Sequence, residues 1–485
     1  MSRNRQFSVP WARPGDPYST RGSLIMKLKL GEAPEQIQSA LDVRRGAAQT
    51  VAKTGLQPVD RVLSHFASDV QIYRVHTSAA NQGRLGAGHR GFDDVEHAVG
   101  LSRTFEVDFD DDCPVADVID ALRRLAVVEQ AYPHYLSMLP FAAAAPAAVV
   151  DEEEAWATRA LVRAPEAMAY EAGDPAVVIA IVDTGVMLDH PELQSKLRRG
   201  YDTVQLISGD LPSGMRLVSD ESAGFGDPVD LVGHGTSCAG IIGAVGDHIP
   251  PGLAGFCGLL PIRVLGSAKY PGKSDPVGIG AIADIDCGVK YAIDLGAKIL
   301  NFSFGTPEAE LEPNGPMPHS DVVQYGLLRG CIMIAASGNS GKEEHFSPAA
   351  LNGVIAVGSV DTLGKPSDFS TRGEHVALSA PGEGVVSSSL HGYSRVTGTS
   401  FAAPCVSAAA ALLVSRALSR AHPLDSSAVR QILSNSARPW PARYDSRGCG
   451  SGMLDAVAAL QALDHEIDTA AVSARQQRGR SRTVN

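Results

Sequence analysis

VVIAIVD, residues 177 to 183, is a run of six apolar residues closed by a carboxylate, and the fold is read outward from it. The same texture returns in LLPIRVL (259–265), AKILNFSF (297–304), CIMIAAS (331–337) and NGVIAVGSV (352–360). A strand with one wet face alternates apolar and polar residues. These runs hardly alternate, so they read as strands buried on both faces, which requires a mainly parallel sheet with helices packed on each side. The expected fold is α/β, a doubly wound domain over residues 156–465, and such sheets place their chemistry at the carboxyl ends of the strands, where Asp183 stands.

Upstream the pattern differs. Leu24, Met26, Leu28 and Leu30 alternate as on a strand, as do Val70 to Val75 and then Phe105, Val107 and Phe109. Val59, Val62, Leu63 and Phe66, and later Val115, Val118, Ile119, Leu122 and Leu125, recur at helical spacing, and VVEQAYPHY (127–135) reads as another strand. A small α/β domain is therefore expected over residues 24–138. It is flanked by a disordered stretch (1–23) and by an Ala/Pro-rich and then acidic stretch (139–155) that reads as an exposed linker open to cleavage. The last residues, 466–485, carry Arg475, Arg478, Arg480 and Arg482 and read as a solvated basic tail.

Composition bounds the partners. The chain has 485 residues, 44 % of them hydrophobic, enough for a sizeable core, and its 42 Lys and Arg against 54 Asp and Glu give a net charge of −12. That charge repels phosphate backbones, so nucleic acid is not expected as a partner. No run is long enough for a membrane span. Two early arginines are followed by Pro, Trp, Gly and Asp where a secretory leader would need an unbroken apolar stretch, so synthesis in the cytoplasm is expected, with a leaderless route out if the substrate is extracellular. Seven scattered cysteines without a CxxC pair fit reduced, mostly buried thiols.

Three runs carry chemistry: the strand end at Asp183, GHGTSCAG around His234, and VTGTSFAAPCVSAAAALLV, in which Ser400 opens a helix apolar on every side. Taken singly, each has an ordinary structural explanation, Ser400 above all as a helix cap. In the order Asp, His, Ser they resemble the three signature segments of the subtilisin-like serine proteases, peptidase family S8, and the resemblance extends from Trp156 to Leu463. IAASGNSG, with Asn339, and NFSFG (301–305) resemble two further family segments, and the 104–135 unit resembles the propeptides that precede such proteases. An α/β-hydrolase would run Ser, Asp, His with GxSxG, which does not occur; a dinucleotide-binding fold would show GxGxxG directly after a strand, and the one match, GAGHRG (86–91), lies in the Gly-rich stretch 81–91 instead. A catalytically dead scaffold used only for binding is the remaining alternative, and the presence of all four catalytic residue types speaks against it.

The resemblance implies a serine endopeptidase that hydrolyses protein substrates, in regulated limited proteolysis of a precursor. Ser400 would be the nucleophile, His234 its base and then the acid for the leaving amine, Asp183 the group that orients the imidazole, and Asn339 the side-chain donor of the oxyanion hole. Substrate is expected to lie extended between Ser303, Phe304 and Gly305 on one side and Ala336, Ser337 and Gly338 on the other. No cofactor is required. A structural calcium is an open alternative with Glu192 and Asp247 as ligands. A protease made in the cytoplasm needs restraint, either from residues before Val150 or from a separate cytoplasmic inhibitor protein. Ser340 follows Asn339, so no carboxylate awaits a basic residue there, and the preference leans to small or apolar side chains before the cleaved bond.

Overall fold

The computed structural model describes residues 18–109, 113–139, 143–146, 151–211, 214–218, 226–269, 275–313 and 315–482. At its centre is a seven-stranded sheet in the order 376–381, 354–360, 332–336, 299–302, 178–183, 258–263, 201–202, every neighbour parallel. Because side chains alternate along a strand, one strand feeds two cores. Ile179 and Ile181 pack into a core shared with the helices His234–Gly243 and Thr399–Ser419, while Ala180 and Val182 pack into a second core with Ile282–Asp294 and Ser320–Leu328. This double burial is why the strands read as unbroken apolar runs. Thr399–Ser419 is long and apolar enough to cross a membrane, and 89 % of it is buried inside the protein.

The N-terminal region forms an antiparallel sheet in the order 70–74, 104–109, 19–28, 128–138, with the helices Gln57–Phe66 and Val115–Arg123 over one face. Leu24, Met26, Leu28, Val59, Leu63, Val107, Val118 and Leu122 fill its core. Its last strand does not stop at the domain edge. Leu136, Ser137 and Met138 pair antiparallel with Ala281, Gly280 and Ile279, and the sheet continues through Gly266–Lys269 to Arg216–Leu217. One sheet thus runs across both domains.

Ion pairs with little access to water seal that junction. Lys290 Nζ lies 2.6 Å from Glu96 Oε1, with the two side chains 1 % and 0 % exposed, and Lys27 Nζ lies 2.8 Å from Asp321 Oδ2. His134 Nε2 accepts the Ala283 N–H at 3.2 Å, and Arg44 donates to the Gln205 carbonyl at 3.0 Å.

Three expectations about the chain's margins are corrected. The first strand begins at Ser19, inside the stretch expected to be disordered, because Ser19 pairs with Tyr135; residues 1–17 lie outside the described residues. The stretch expected as a linker is engaged where it is described. Leu139 bonds Gly278, residues 143–146 form a strand against 394–397, and a helix starts at Glu152 behind an Asp151 cap. The basic tail continues the helix Ala456–Arg482, whose N-terminal part packs Val457, Leu460 and Leu463 into the main core. All seven cysteines are thiols, and all but Cys113 are buried.

Candidate active site

Asp183 is the last residue of the strand 178–183 and is fully buried. His234 is the first residue of the helix 234–243, and its Nδ1 lies 2.8 Å from Asp183 Oδ1, which also accepts the Thr184 N–H at 2.7 Å. Two elements far apart in sequence meet here for a local reason. A side chain on Gly235 would strike the Gly185 carbonyl at 2.1 Å and Asp183 Cβ at 3.1 Å, so only glycine lets the helix start so close to the strand end.

Asp230 completes the junction, and the sequence analysis missed it. Its carboxylate accepts the N–H groups of Val232, Gly233 and Thr236 and the hydroxyls of Thr184 and Thr236, at 2.7 to 2.9 Å. Thr184 Oγ1 in turn accepts the Gly235 N–H at 3.0 Å. Burial raises the Asp230 carboxyl above the usual carboxylate range, and the five donors work against that rise. The signal was an acid four residues before His234 at the entrance to a glycine-flanked helix, a position suited to tying down a loop.

Ser400 is the second residue of the helix 399–419 and is fully buried. Pro404, four residues on, has no N–H to give the Ser400 carbonyl, so that carbonyl is open to other donors. Ser303 Oγ donates to it at 2.8 Å and Cys238 Sγ lies 3.4 Å away. The proline therefore lets the nucleophile's backbone be pinned to the strand at 303 and to the histidine helix at once. The Ser400 hydroxyl donates to the Ser303 carbonyl at 3.2 Å, and His234 Nε2 has no hydrogen-bond partner among the described residues. No hydrogen bond joins Ser400 Oγ to His234 Nε2 in this structure.

Asn339 follows the strand 332–336. Its Oδ1 accepts both the N–H and the hydroxyl of Thr399, at 2.9 and 2.7 Å, which makes the amide nitrogen the donor end of the group beside the Ser400 turn. The helix start at Ser400 adds favourable potential for an anion. Asp183, His234 and Cys238 each bring a ligand-type atom within 4.8 Å of the others, but the acid and imidazole are already bonded together, and burial pushes the Cys238 thiol well above its ordinary range.

Along 303–305, one of the two stretches expected to bind substrate, the chain's own backbone is paired. Gly305 exchanges both backbone hydrogen bonds with Met138, at 2.8 and 2.9 Å, so an extended strand does lie along 303–305. Phe304 takes part by backbone alone, since its ring is buried against Phe302 and His319. On the other side of that strand, Leu139 N–H bonds the Gly278 carbonyl at 3.2 Å and 136–138 pair with 279–281. Ala336 and Ser337 are tied into the central sheet against Val357. VGIGA (277–281) gave a clue in its alternating small residues, which leave room for a second backbone.

Of the two residues expected as calcium ligands, Glu192 is engaged by backbone donors. The Glu192 carboxylate is buried and accepts the N–H groups of Gly246, Asp247, His248 and Ile249. Burial alone would raise it, and these donors hold it below the ordinary carboxylate range. Donors aimed at both oxygens occupy the lone pairs that a calcium ion would need.

The Subtilase family model matches residues 174–464. Thermitase of Thermoactinomyces vulgaris is 33 % identical over 280 residues, covering 57 % of this chain and 86 % of thermitase. A thermophilic serine proteinase of Bacillus sp. (strain AK1) is 34 % identical over 248 residues, half of this chain and 53 % of that protein. The major intracellular serine protease of Bacillus subtilis (strain 168) is 33 % identical over 265 residues, 53 % of this chain and 73 % of its own length. Among solved structures, the prenylagaramide maturation protease PagA is 28 % identical with a TM-score of 0.50, the match covering 62 % of this chain and 98 % of that one. A protease from Pseudoalteromonas arctica PAMC 21717, at 24 % identity and a TM-score of 0.54, shares the fold. With the parallel sheet, the Asp183–His234 pair and the Ser400 helix in the positions described, the chain belongs to the subtilase family and is a subtilisin-type serine endopeptidase.

Proposed function

We propose that this endopeptidase carries out limited proteolysis of a precursor protein, and that its N-terminal region keeps the cleft closed until it is displaced. The observation that carries the reading is the reciprocal pair of backbone bonds between Met138 and Gly305, reinforced by Leu139 to Gly278. These main-chain bonds are the kind an extended substrate would make, and the chain makes them to itself. Residues 143–146 pair with 394–397, immediately before the Ser400 turn.

With a substrate in place of residues 136–139, Ser400 Oγ turns from the Ser303 carbonyl to His234 Nε2 and gives up its proton as it attacks the carbonyl carbon. Asp183 holds the imidazole through Nδ1 and balances the charge that forms on it. The carbonyl oxygen becomes an anion received by the Asn339 amide and the Ser400 N–H. His234 then protonates the leaving amine, and water repeats the sequence on the acyl-enzyme.

The test is Met138→Pro in the full chain. It removes the N–H that bonds the Gly305 carbonyl and leaves the catalytic groups untouched. Casein hydrolysis should rise roughly tenfold, since about 1.4 kcal/mol of lost docking is a factor of ten in exposed cleft. Unchanged hydrolysis would overturn the closed-cleft reading.

A further inference from the structure

Glu106 and Asp108 stand two apart on the strand 104–109, so their side chains share one face of it, opposite to Phe105 and Val107, which fill the N-terminal core. That face looks across the domain junction at Asp210 and at Asp284, in the first turn of the helix 282–294. Between them lies a cavity of about 390 Å³, lined from both domains and within the range of about 300–1,000 Å³ that small-molecule sites occupy. Its charged lining is these four carboxylates and the guanidinium groups of Arg21 and Arg44. Tyr73 and His134 line it too, and burial keeps both uncharged. Fully ionised, the cavity carries two more negative charges than positive ones.

The protein's own cations do not make up the difference. Arg44 is already committed, its Nη2 3.6 Å from Glu106 Oε1 and its Nη1 donating to the Gln205 carbonyl at 3.0 Å. Burial and Glu106 push Asp108 up to about 7, and burial raises Glu106 and Asp284 against the pull of Arg44. Carboxyls short of positive partners behave in this way. A second observation points to the same lack. Gln205 lines the cavity at 8 % exposure with its backbone engaged, the N–H donating to Asp284 Oδ2 at 2.8 Å and the carbonyl accepting from Arg44, yet its side-chain Oε1 has no donor. A buried acceptor left without a donor costs free energy that a ligand N–H recovers.

A single metal ion does not fit. Among the described residues only Asp183, His234 and Cys238 bring three ligand-type atoms within 4.8 Å of one another, so the cavity's carboxylates stand too far apart to surround one ion. A cation with two separated charges matches them better, and Phe109 and Leu206 offer apolar surface to the chain between those charges.

We propose that the junction cavity is a binding site for an aliphatic diamine, one ammonium group pairing with Glu106 and Asp108 of the N-terminal region, the other with Asp284 of the catalytic domain, and Gln205 Oε1 accepting an ammonium N–H. A ligand so placed ties the two domains together. The site is complete only while they are docked, so the ligand favours docking by mass action. Binding does not depend on the closed-cleft reading; the effect on hydrolysis rests on it.

Isothermal titration calorimetry near pH 8, on full-chain Ser400→Ala so that no self-digestion intervenes, compares diaminobutane, butylamine and calcium chloride at matched ionic strength. Diaminobutane should bind one to one and about tenfold or more tighter than butylamine, the least that a second buried charge pair contributes. Asp108→Asn and Asp284→Asn, one on each wall, should each weaken diaminobutane by about the same factor and narrow its lead over butylamine. Two variants from different domains keep the test decisive if one of them fails to fold. On the wild-type chain, diaminobutane at about 100 times its Kd should lower basal casein hydrolysis about tenfold or more. No binding of diaminobutane, equal affinity for the two amines, binding of calcium in its place, or variants that bind like the parent chain would overturn the assignment. Binding as expected with hydrolysis unchanged would uphold the site and count against the closed-cleft reading instead.

Discussion

At the residue scale the catalytic set divides into groups that react and groups that hold them. Ser400→Ala should abolish casein hydrolysis while leaving the melting temperature within a few degrees of wild type. The change removes the nucleophile and at most about 1 kcal/mol of packing and capping. His234→Ala should be comparably severe and not additive with it, because nucleophile and base act as a unit. Asn339→Ala should lower kcat by about 10²–10³, which is the measured cost of losing this type of donor in subtilisin and not a value drawn from the present geometry. Circular dichroism beside each assay separates lost chemistry from lost fold. A turnover-competent Ser400→Ala would remove the nucleophile assignment altogether.

At the scale of elements, a single strand joins the N-terminal region to the catalytic domain. The strand 128–138 belongs to the N-terminal core through Val128 and Ala131 and to the catalytic domain through Leu136 and Met138. The junction is sealed at Lys290, which reaches both Glu96 across the interface and Asp294 on its own helix at 2.6 Å. Glu96 also accepts the N–H groups of Asp93 and Ala79, so Glu96→Gln is the informative change: it keeps a polar acceptor of the same shape and removes the charge. Losing one partner of a buried pair costs about 3–5 kcal/mol, and less where, as here, a second counter-ion remains. The expected result is faster cleavage of the 139–155 segment by an added elastase-like protease, which cuts after its alanines and valines, and a rise in basal casein hydrolysis. Identical digestion of variant and wild type would show that this pair does not control docking.

At the scale of the whole molecule, the interface between the domains holds a cavity of about 390 Å³ ringed by charge: Arg21, Arg44, Tyr73, Glu106, Asp108, His134, Asp210 and Asp284. Burial and the neighbouring Glu106 push Asp108 up to about 7, and burial also raises Glu106 and Asp284. Unfolded, these carboxyls titrate near 4, so between about pH 4 and 7 the folded chain keeps protons that the unfolded chain has released, and stability falls as pH rises across that window. His134 acts in the opposite direction. Burial and Arg44 lower it to about 3, so the unfolded chain gains a proton first as pH drops below about 6.5. Asp108→Asn cannot ionise. It should raise the melting temperature relative to wild type at pH 8 and change it little at pH 5, measured by scanning calorimetry. An equal shift at both values would show that Asp108 does not titrate in this range.

The sequence by itself determined the central sheet and the catalytic residue types, because both are written in local terms. Doubly buried strands must be continuous apolar runs, and a nucleophile, base and oxyanion donor must sit at strand ends and helix starts beside small residues. It was silent about groups whose role exists only across distance in the chain. Nothing near Asp230 announces that Thr184 will donate to it, and the small residues of VGIGA leave room for a second backbone without saying that it will be Leu136–Met138. The expected linker failed for the same reason: an Ala/Pro-rich stretch has no side-chain pattern, so where it is described its pairing was set by backbone bonds to partners more than a hundred residues away. Glu192 and Asp247 looked like ligands because acids in loops are ambiguous until their neighbours are known; four N–H groups from a distant loop decided the matter for Glu192.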